Sequence, residues 1–168
     1  MEGDDENNRR ILFAAAWRGE EDKLKGLIDS GAVPINAVDE NKVTALRFTA
    51  QYGHKELTRF LIEKGADPNL KVTVMFWLSV FRMQCNPWKL SLQQAKDGMD
   101  PLLAAVQMGH IEIAEMLLNA GAEVNTRAKG VNAVMLSREK GHMDIERLLL
   151  ERGAKPELNL VERKCKLS

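Results

Sequence analysis

Between Asp100 and Asn125 the apolar positions fall into two short helical stripes separated by a glycine turn. Leu102, Ala105 and Val106 give one helix face at the i, i+3, i+4 spacing, and Ile113, Ala114, Leu117 and Leu118 give a second. Asp100 supplies a side-chain acceptor where the first helix begins, and Pro101 follows at the position where a missing N–H costs nothing. Gly109-His110 breaks that helix, and Gly121 sits where a left-handed cap would close the next. The stretch predicts a unit of helix, turn, helix and loop.

Imperfect copies lie on either side. The turn glycine recurs as Gly19, Gly53, Gly109 and Gly141, and a Gly-Ala pair follows each twelve residues later, at Gly31-Ala32, Gly65-Ala66, Gly121-Ala122 and Gly153-Ala154. Seven residues before each glycine stands Leu12, Leu46, Leu102 or Val134. Eight and nine after it stand Leu27-Ile28, Leu61-Ile62, Leu117-Leu118 and Leu149-Leu150. These are the expected core positions. The loop that leaves each second helix repeats as Ile35-Asn36, Pro68-Asn69 and Val124-Asn125, with Lys155-Pro156 as a degraded version.

This pattern resembles an ankyrin repeat, whose short signature is Thr-Pro-Leu-His-x-Ala at a period of about 33 residues. The resemblance covers Arg10 to Pro156 and implies an all-α ankyrin-repeat solenoid of four helix-turn-helix repeats, at about 10–38, 39–71, 95–127 and 128–156. Residues 1–9 are expected to form a flexible acidic N-terminus and 157–168 a polar, basic tail. The signature slots hold Thr44-Ala45-Leu46-Arg47, Asp100-Pro101-Leu102-Leu103 and Asn132-Ala133-Val134-Met135. Thr, Asp and Asn all cap helices well. The signature histidine, which in the family ties neighbouring repeats together, is missing from all three, so a less rigid array is expected. Arg10-Ile11-Leu12-Phe13 and Gly130-Val131-Asn132 depart from the pattern as terminal capping repeats do, and Arg138 and Glu146 fall at usually apolar slots, as for a last repeat that meets water.

The turn glycines are 34, 56 and 32 residues apart, and the middle interval is the anomaly. Excising residues 72–94 restores the period and joins the flanks into an unbroken loop, which places an inserted hydrophobic finger between repeats two and three. Within it Val72 to Phe81 is apolar except for Thr73 and Ser79, and is too short to span a bilayer. Three readings stay open: a partner-binding or membrane-dipping finger, a hairpin or helix that buries Phe76, Trp77 and Phe81 against the stack, or a splicing product. The last rests on Val72, whose codon begins GT, and Gln94, which CAG can encode, the letters that bound an intron.

The 24 basic and 24 acidic residues cancel, so no global field attracts nucleic acid, which is not expected as a partner. MEGDDENNRR lacks the basic then apolar start of a signal peptide, so the chain is expected in the cytoplasm or nucleus and not secreted. Cys85 and Cys165 offer neither metal spacing nor a disulfide framework, as in a reducing compartment. His54, His110 and His142 each follow an aligned glycine, so they share one slot in successive units about 10 Å apart and are expected to cap the second helices rather than to converge on a metal. No phosphate-cradling glycine loop and no activated nucleophile is visible, so neither a cofactor nor an enzymatic activity is expected.

The resemblance implies a non-catalytic protein-protein interaction module, scaffold or inhibitor, binding a protein partner of unknown identity on its concave face and finger tips, and a monomer is expected. The two residues before each turn glycine are the expected contacts: Trp17, Arg18, Gln51, Tyr52, Gln107, Met108, Glu139 and Lys140, joined by Phe76 and Trp77 of the insert. Glu40, Asn41, Val43, Lys96, Asp97, Met99, Ala128, Lys129 and Val131 occupy the finger positions. An alternative is a membrane-associated adaptor, since Cys165-Lys166-Leu167-Ser168 fits a prenylation box with Arg163, Lys164 and Lys166 nearby.

Overall fold

The computed structural model describes residues 2–40, 42–70, 99–128 and 130–156. They form four helix pairs: α1 (Glu2–Arg18) with α2 (Glu21–Asp29), α3 (Ala45–Tyr52) with α4 (Lys55–Glu63), α5 (Pro101–Met108) with α6 (Ile111–Asn119), and α7 (Ala133–Lys140) with α8 (Met143–Glu151). Each first helix packs on the next first helix, α1 on α3 on α5 on α7, and the second helices stack as a parallel layer in the same order. A short hairpin, β1 (Arg127–Ala128) with β2 (Val131–Asn132), joins the third and fourth pairs, and a single bridge between Val38 and Thr44 marks the equivalent finger between the first and second.

Helices of eight or nine residues are marginal alone, so their stability comes from the faces they bury. Leu12, Leu46, Leu102 and Val134 are all within 1% of complete burial, and so are Leu61, Leu117 and Leu149 in the second helices. The end units leave part of this row uncovered: Leu150 is 39% exposed, with no following unit among the described residues to shield it. At the outward side of the last pair, Arg138 and Glu146 form an ion pair at 2.6 Å. The equivalent positions in the other units hold buried Ala16 and Leu24, Ala50 and Thr58, or fully buried Val106 and Ala114. A charged pair there suits a surface that water covers.

The expected caps form. Thr44 accepts from the Arg47 N–H at 3.2 Å, Asp100 from Leu103 at 2.8 Å and Asn132 from Met135 at 2.8 Å. Asp100 also accepts from the Thr126 hydroxyl, which ties the helix start to the loop that leaves the same unit. One expectation is corrected. The acidic N-terminus is not a flexible lead: α1 runs unbroken from Glu2, so it is about twice the length of any other helix. Asp5 and Glu6, near the start of this helix, suit the positive end of the helix dipole, a stabilising term that reading the stretch as merely polar leaves out.

Two ladders stitch the units together. Along the loops, Asn36 accepts from the Asp67 N–H at 2.9 Å, Asn69 from Glu123 at 2.7 Å and Asn125 from Lys155 at 2.9 Å. Asn69 also donates to the Gly121 carbonyl at 3.0 Å. Along the turns, each histidine ring lies over the glycine of the unit before it. A Cβ built on Gly19, Gly53 or Gly109 would come within 2.6, 2.8 and 2.7 Å of His54, His110 and His142 respectively. The second and third units are therefore in direct contact, through α3 on α5, α4 on α6, and both ladders. The insert, residues 72–94, lies outside the described residues.

Gly53 and Gly141 separate two reasons for glycine. Both have left-handed φ, +78° and +76°, but only Gly53 carries an imidazole against it; beside Gly141 there is open space. Either alanine substitution costs about 1–2 kcal/mol of backbone strain. Gly53→Ala must also displace His110, so it is expected to lose at least about 1 kcal/mol more than Gly141→Ala in urea unfolding at equal m-value. Equal losses would mean that the ring contact contributes nothing.

Candidate functional site

The candidate site is the exposed side of the first-helix layer, where an aromatic cluster spans the first two units. Phe13 and Phe48 are buried, with ring centroids 6.1 Å apart, and form its floor. Tyr52 stacks on Phe48 at 6.5 Å and 8°, and meets Trp17 edge-on at 6.3 Å and 76°. Both rings are half-buried. Their bodies are fixed by neighbouring rings while part of each remains open to solvent, an arrangement that lowers the entropy cost of further contact. Arg18 lies over Trp17 at 5.7 Å.

The neighbouring turn holds this cluster in place. His54 Nε2 is 3.0 Å from the Trp17 carbonyl, and His110 Nε2 is 3.2 Å from the Gln51 carbonyl. A carbonyl only accepts, so Nε2 of each ring carries the donated proton. The expected capping role is thereby corrected: none of the three histidines caps its own helix by a side-chain hydrogen bond, and two of them reach backwards to tie adjacent units. The reason lies in the turn, because a left-handed glycine exposes its backbone and leaves room for a ring from the next unit. These ties do for the array what the missing signature histidine was expected to do.

The remaining candidate residues are distributed unevenly. Met108 is 46% exposed, Gln107 is half-buried, and Glu139 and Lys140 are exposed and 3.8 Å apart. Gln51 departs from the expected contact set: only 8% of it is exposed, because α5 packs against this flank of α3 while the Gln51 carbonyl receives His110. Of the finger positions, Glu40 is exposed and Met99 and Val131 are half-buried, whereas Val43 and Ala128 are buried at 3% and 9% and offer a partner little. Phe76, Trp77, Asn41, Lys96, Asp97, Lys129 and Cys165 lie outside the described residues. A feature missed in the sequence is Arg47, which fills the signature histidine slot and is only 3% exposed. Its charge was visible in the chain, but its enclosure depends on both neighbouring units.

The electrostatics are those of a solvated surface. The Lys23 ammonium, 2.6 Å from Glu20, holds that carboxyl below the ordinary range, with Arg18 at 3.6 Å assisting. On the second-helix side, Lys64 meets Asp29 at 2.6 Å and Lys55 meets Glu112 at 2.5 Å, pairs that link successive units. Among the described residues no group of His, Cys, Asp and Glu side chains is arranged to hold a metal ion, and no helix is long and apolar enough to cross a membrane.

Residues 1–72 and 75–159 match the family described as ankyrin repeats, three copies. The chain belongs to the ankyrin-repeat family. Among individual relatives, palmitoyltransferase akr1 of Schizosaccharomyces pombe is 45% identical over 58 residues, 34% of this chain and 9% of that protein. Ankyrin repeat and SAM domain-containing protein 6 of Mus musculus is 29% identical over 126 residues, 75% of this chain and 12% of that protein. NAD-capped RNA hydrolase NUDT12 of Homo sapiens is 38% identical over 59 residues, 35% of this chain and 13% of that protein. The chain thus spans about a tenth of the length of these relatives, and those with enzyme names are matched through ankyrin repeats alone. Ankyrin repeats generally mediate protein-protein interaction and are typically non-catalytic.

The ankyrin histidines generate a prediction that separates a tie from a metal ligand. His110→Ala is expected to cost about 1–2 kcal/mol, from a lost hydrogen bond and an emptied ring site between units two and three. Equimolar Zn²⁺ should leave the melting temperature of the unsubstituted protein unchanged, since bound metal would raise it by mass action. A zinc-dependent rise that His110→Ala abolishes would contradict this assignment.

Proposed function

We propose that this chain is a non-catalytic docking module that holds a protein partner along the exposed side of its first helices. The observation that carries the reading is the row formed by Trp17, Tyr52 and Met108, one from each of three successive units, with rings pre-set 6.3 Å apart and a 46% exposed thioether beyond them. Tryptophan and tyrosine are the side chains that most often anchor interfaces, and methionine adapts its shape to what it meets. Arg18, Gln107, Glu139 and Lys140 rim the row, with Glu40 on the adjoining finger. A buried, hydrogen-bonded flank at Gln51 makes the platform rigid rather than adding to its contact area. The role is that of a scaffold, bringing the partner to other proteins, or of an inhibitor that covers the partner's working surface.

The test is affinity capture with the whole chain as bait, followed by titration of the recovered partner. Tyr52→Ala and Met108→Ala should each weaken that partner's binding by about tenfold, the effect of losing an anchor of 1–2 kcal/mol. Prey retained with unchanged affinity by both variants would remove this face from the mechanism.

A further inference from the structure

The charge around the aromatic row selects the class of partner. At 3.6 residues per turn, Arg10, Ala14, Trp17 and Arg18 fall on one side of α1, opposite the fully buried Leu12 and Ala16. Arg10 and Arg18 thus bracket Ala14 and Trp17, with Tyr52 beside them across the unit boundary. Arg10 is exposed and has no ion-pair partner among the described residues. The Arg18 side chain is 59% exposed, and its nearest carboxylate, Glu20, is held more closely by Lys23, at 2.6 Å against 3.6 Å. The Trp17 indole N–H and the Tyr52 hydroxyl make no hydrogen bond within the protein among the described residues, so two more donors join the two guanidiniums. Around the aromatic centre the guanidiniums, the indole N–H and the hydroxyl can all donate, and the acceptors on this side of α1, Glu6 and Asn7, are exposed one turn before Arg10. At the far end of the row, Glu139 and Lys140 lie 3.8 Å apart and offset each other.

We infer that the first-unit half of this face binds an acidic peptide segment in which an aliphatic side chain is flanked by two carboxylates. This rests on the docking reading above and adds the chemistry of the partner. The carboxylates meet Arg10 and Arg18, while the aliphatic side chain covers Ala14 and lies against Trp17 and Tyr52. Arg10 and Arg18 are eight residues apart, about 12 Å along the helix axis. Two acidic residues four apart in an extended peptide are about 13 Å apart, so an extended segment matches the spacing. Each exposed pair contributes modestly, and two together give about a tenfold preference over an uncharged peptide at low salt.

The probe is acetyl-Gly-Glu-Ala-Leu-Ala-Glu-Gly-amide, in which both Glu and the central Leu share one face of an extended chain, compared with versions carrying Gln or Lys in place of both Glu. Binding to the whole chain is followed by the indole N–H resonances in nitrogen–proton correlation spectra, with Trp17 assigned through Trp17→Phe. The acidic peptide should shift the Trp17 resonance, the Gln version should bind about tenfold more weakly, and the Lys version more weakly still. The double variant Arg10→Glu, Arg18→Glu, which alters only exposed side chains, should lose the acidic peptide and gain the Lys version. Equal affinity for the acidic and Gln peptides, preference for the Lys peptide, or an unmoved Trp17 resonance at millimolar acidic peptide would each overturn the inference. The outcomes also separate it from the broader reading: a Lys peptide that shifts Trp17 leaves the docking face standing, whereas partner binding indifferent to Tyr52→Ala and Met108→Ala removes the face itself.

Discussion

An imidazole laid over a left-handed glycine is the contact on which the array depends. No helix pair here can bury its apolar side alone, because each helix has about one face's worth of leucine and alanine and only two turns in which to display it. Neighbouring pairs must therefore approach at a fixed distance and register. The turn supplies both, since glycine at φ near +80° brings the backbone close enough for the next ring to rest on it, and Nε2 then finds the carbonyl two residues earlier in the Trp17 and Gln51 cases. The loop asparagines repeat the operation on the other side of the stack, each satisfying an N–H that would otherwise have no partner within its own unit.

The same contact connects architecture to the candidate site. Trp17 and Gln51 lend their carbonyls to the ladder while their helices carry the exposed row, so fixing the turns also fixes the aromatic cluster. Phe13 and Phe48 complete this from below, holding Tyr52 and Trp17 in a defined edge-on pair. The result is a rigid aromatic end at units one and two, a more adaptable thioether at unit three and a balanced charge pair at unit four. Binding energy on such a face comes from a few anchors rather than from area.

Much of this was legible in the chain. The Thr44, Asp100 and Asn132 caps depend on interactions within a few residues, and the Leu12, Leu46, Leu102 and Val134 row is marked by the repeat period itself; all appear where the pattern puts them. The role of the histidines was not legible, because their partners are 37 and 59 residues away and belong to a different unit. Burial of Gln51 and Arg47 has the same origin, since a position on a short helix is enclosed or exposed according to what stacks beside it. The helical start of α1 was hidden for another reason: a run of acidic and amide side chains reads as unstructured unless the helix dipole is counted. Arg138 and Glu146, by contrast, were informative because a charge at a core slot says directly that the stack turns to water there.

The central claim is that units two and three form one continuous stack across the long interval between their turns. Deleting Val72 to Gln94, so that Lys71 joins Ala95, tests it most directly. The account predicts a single cooperative urea transition, with stability within about 1 kcal/mol of the full chain, because shortening a loop changes closure entropy only slowly. Two separate transitions, or loss of folded structure in the shortened protein, would contradict it.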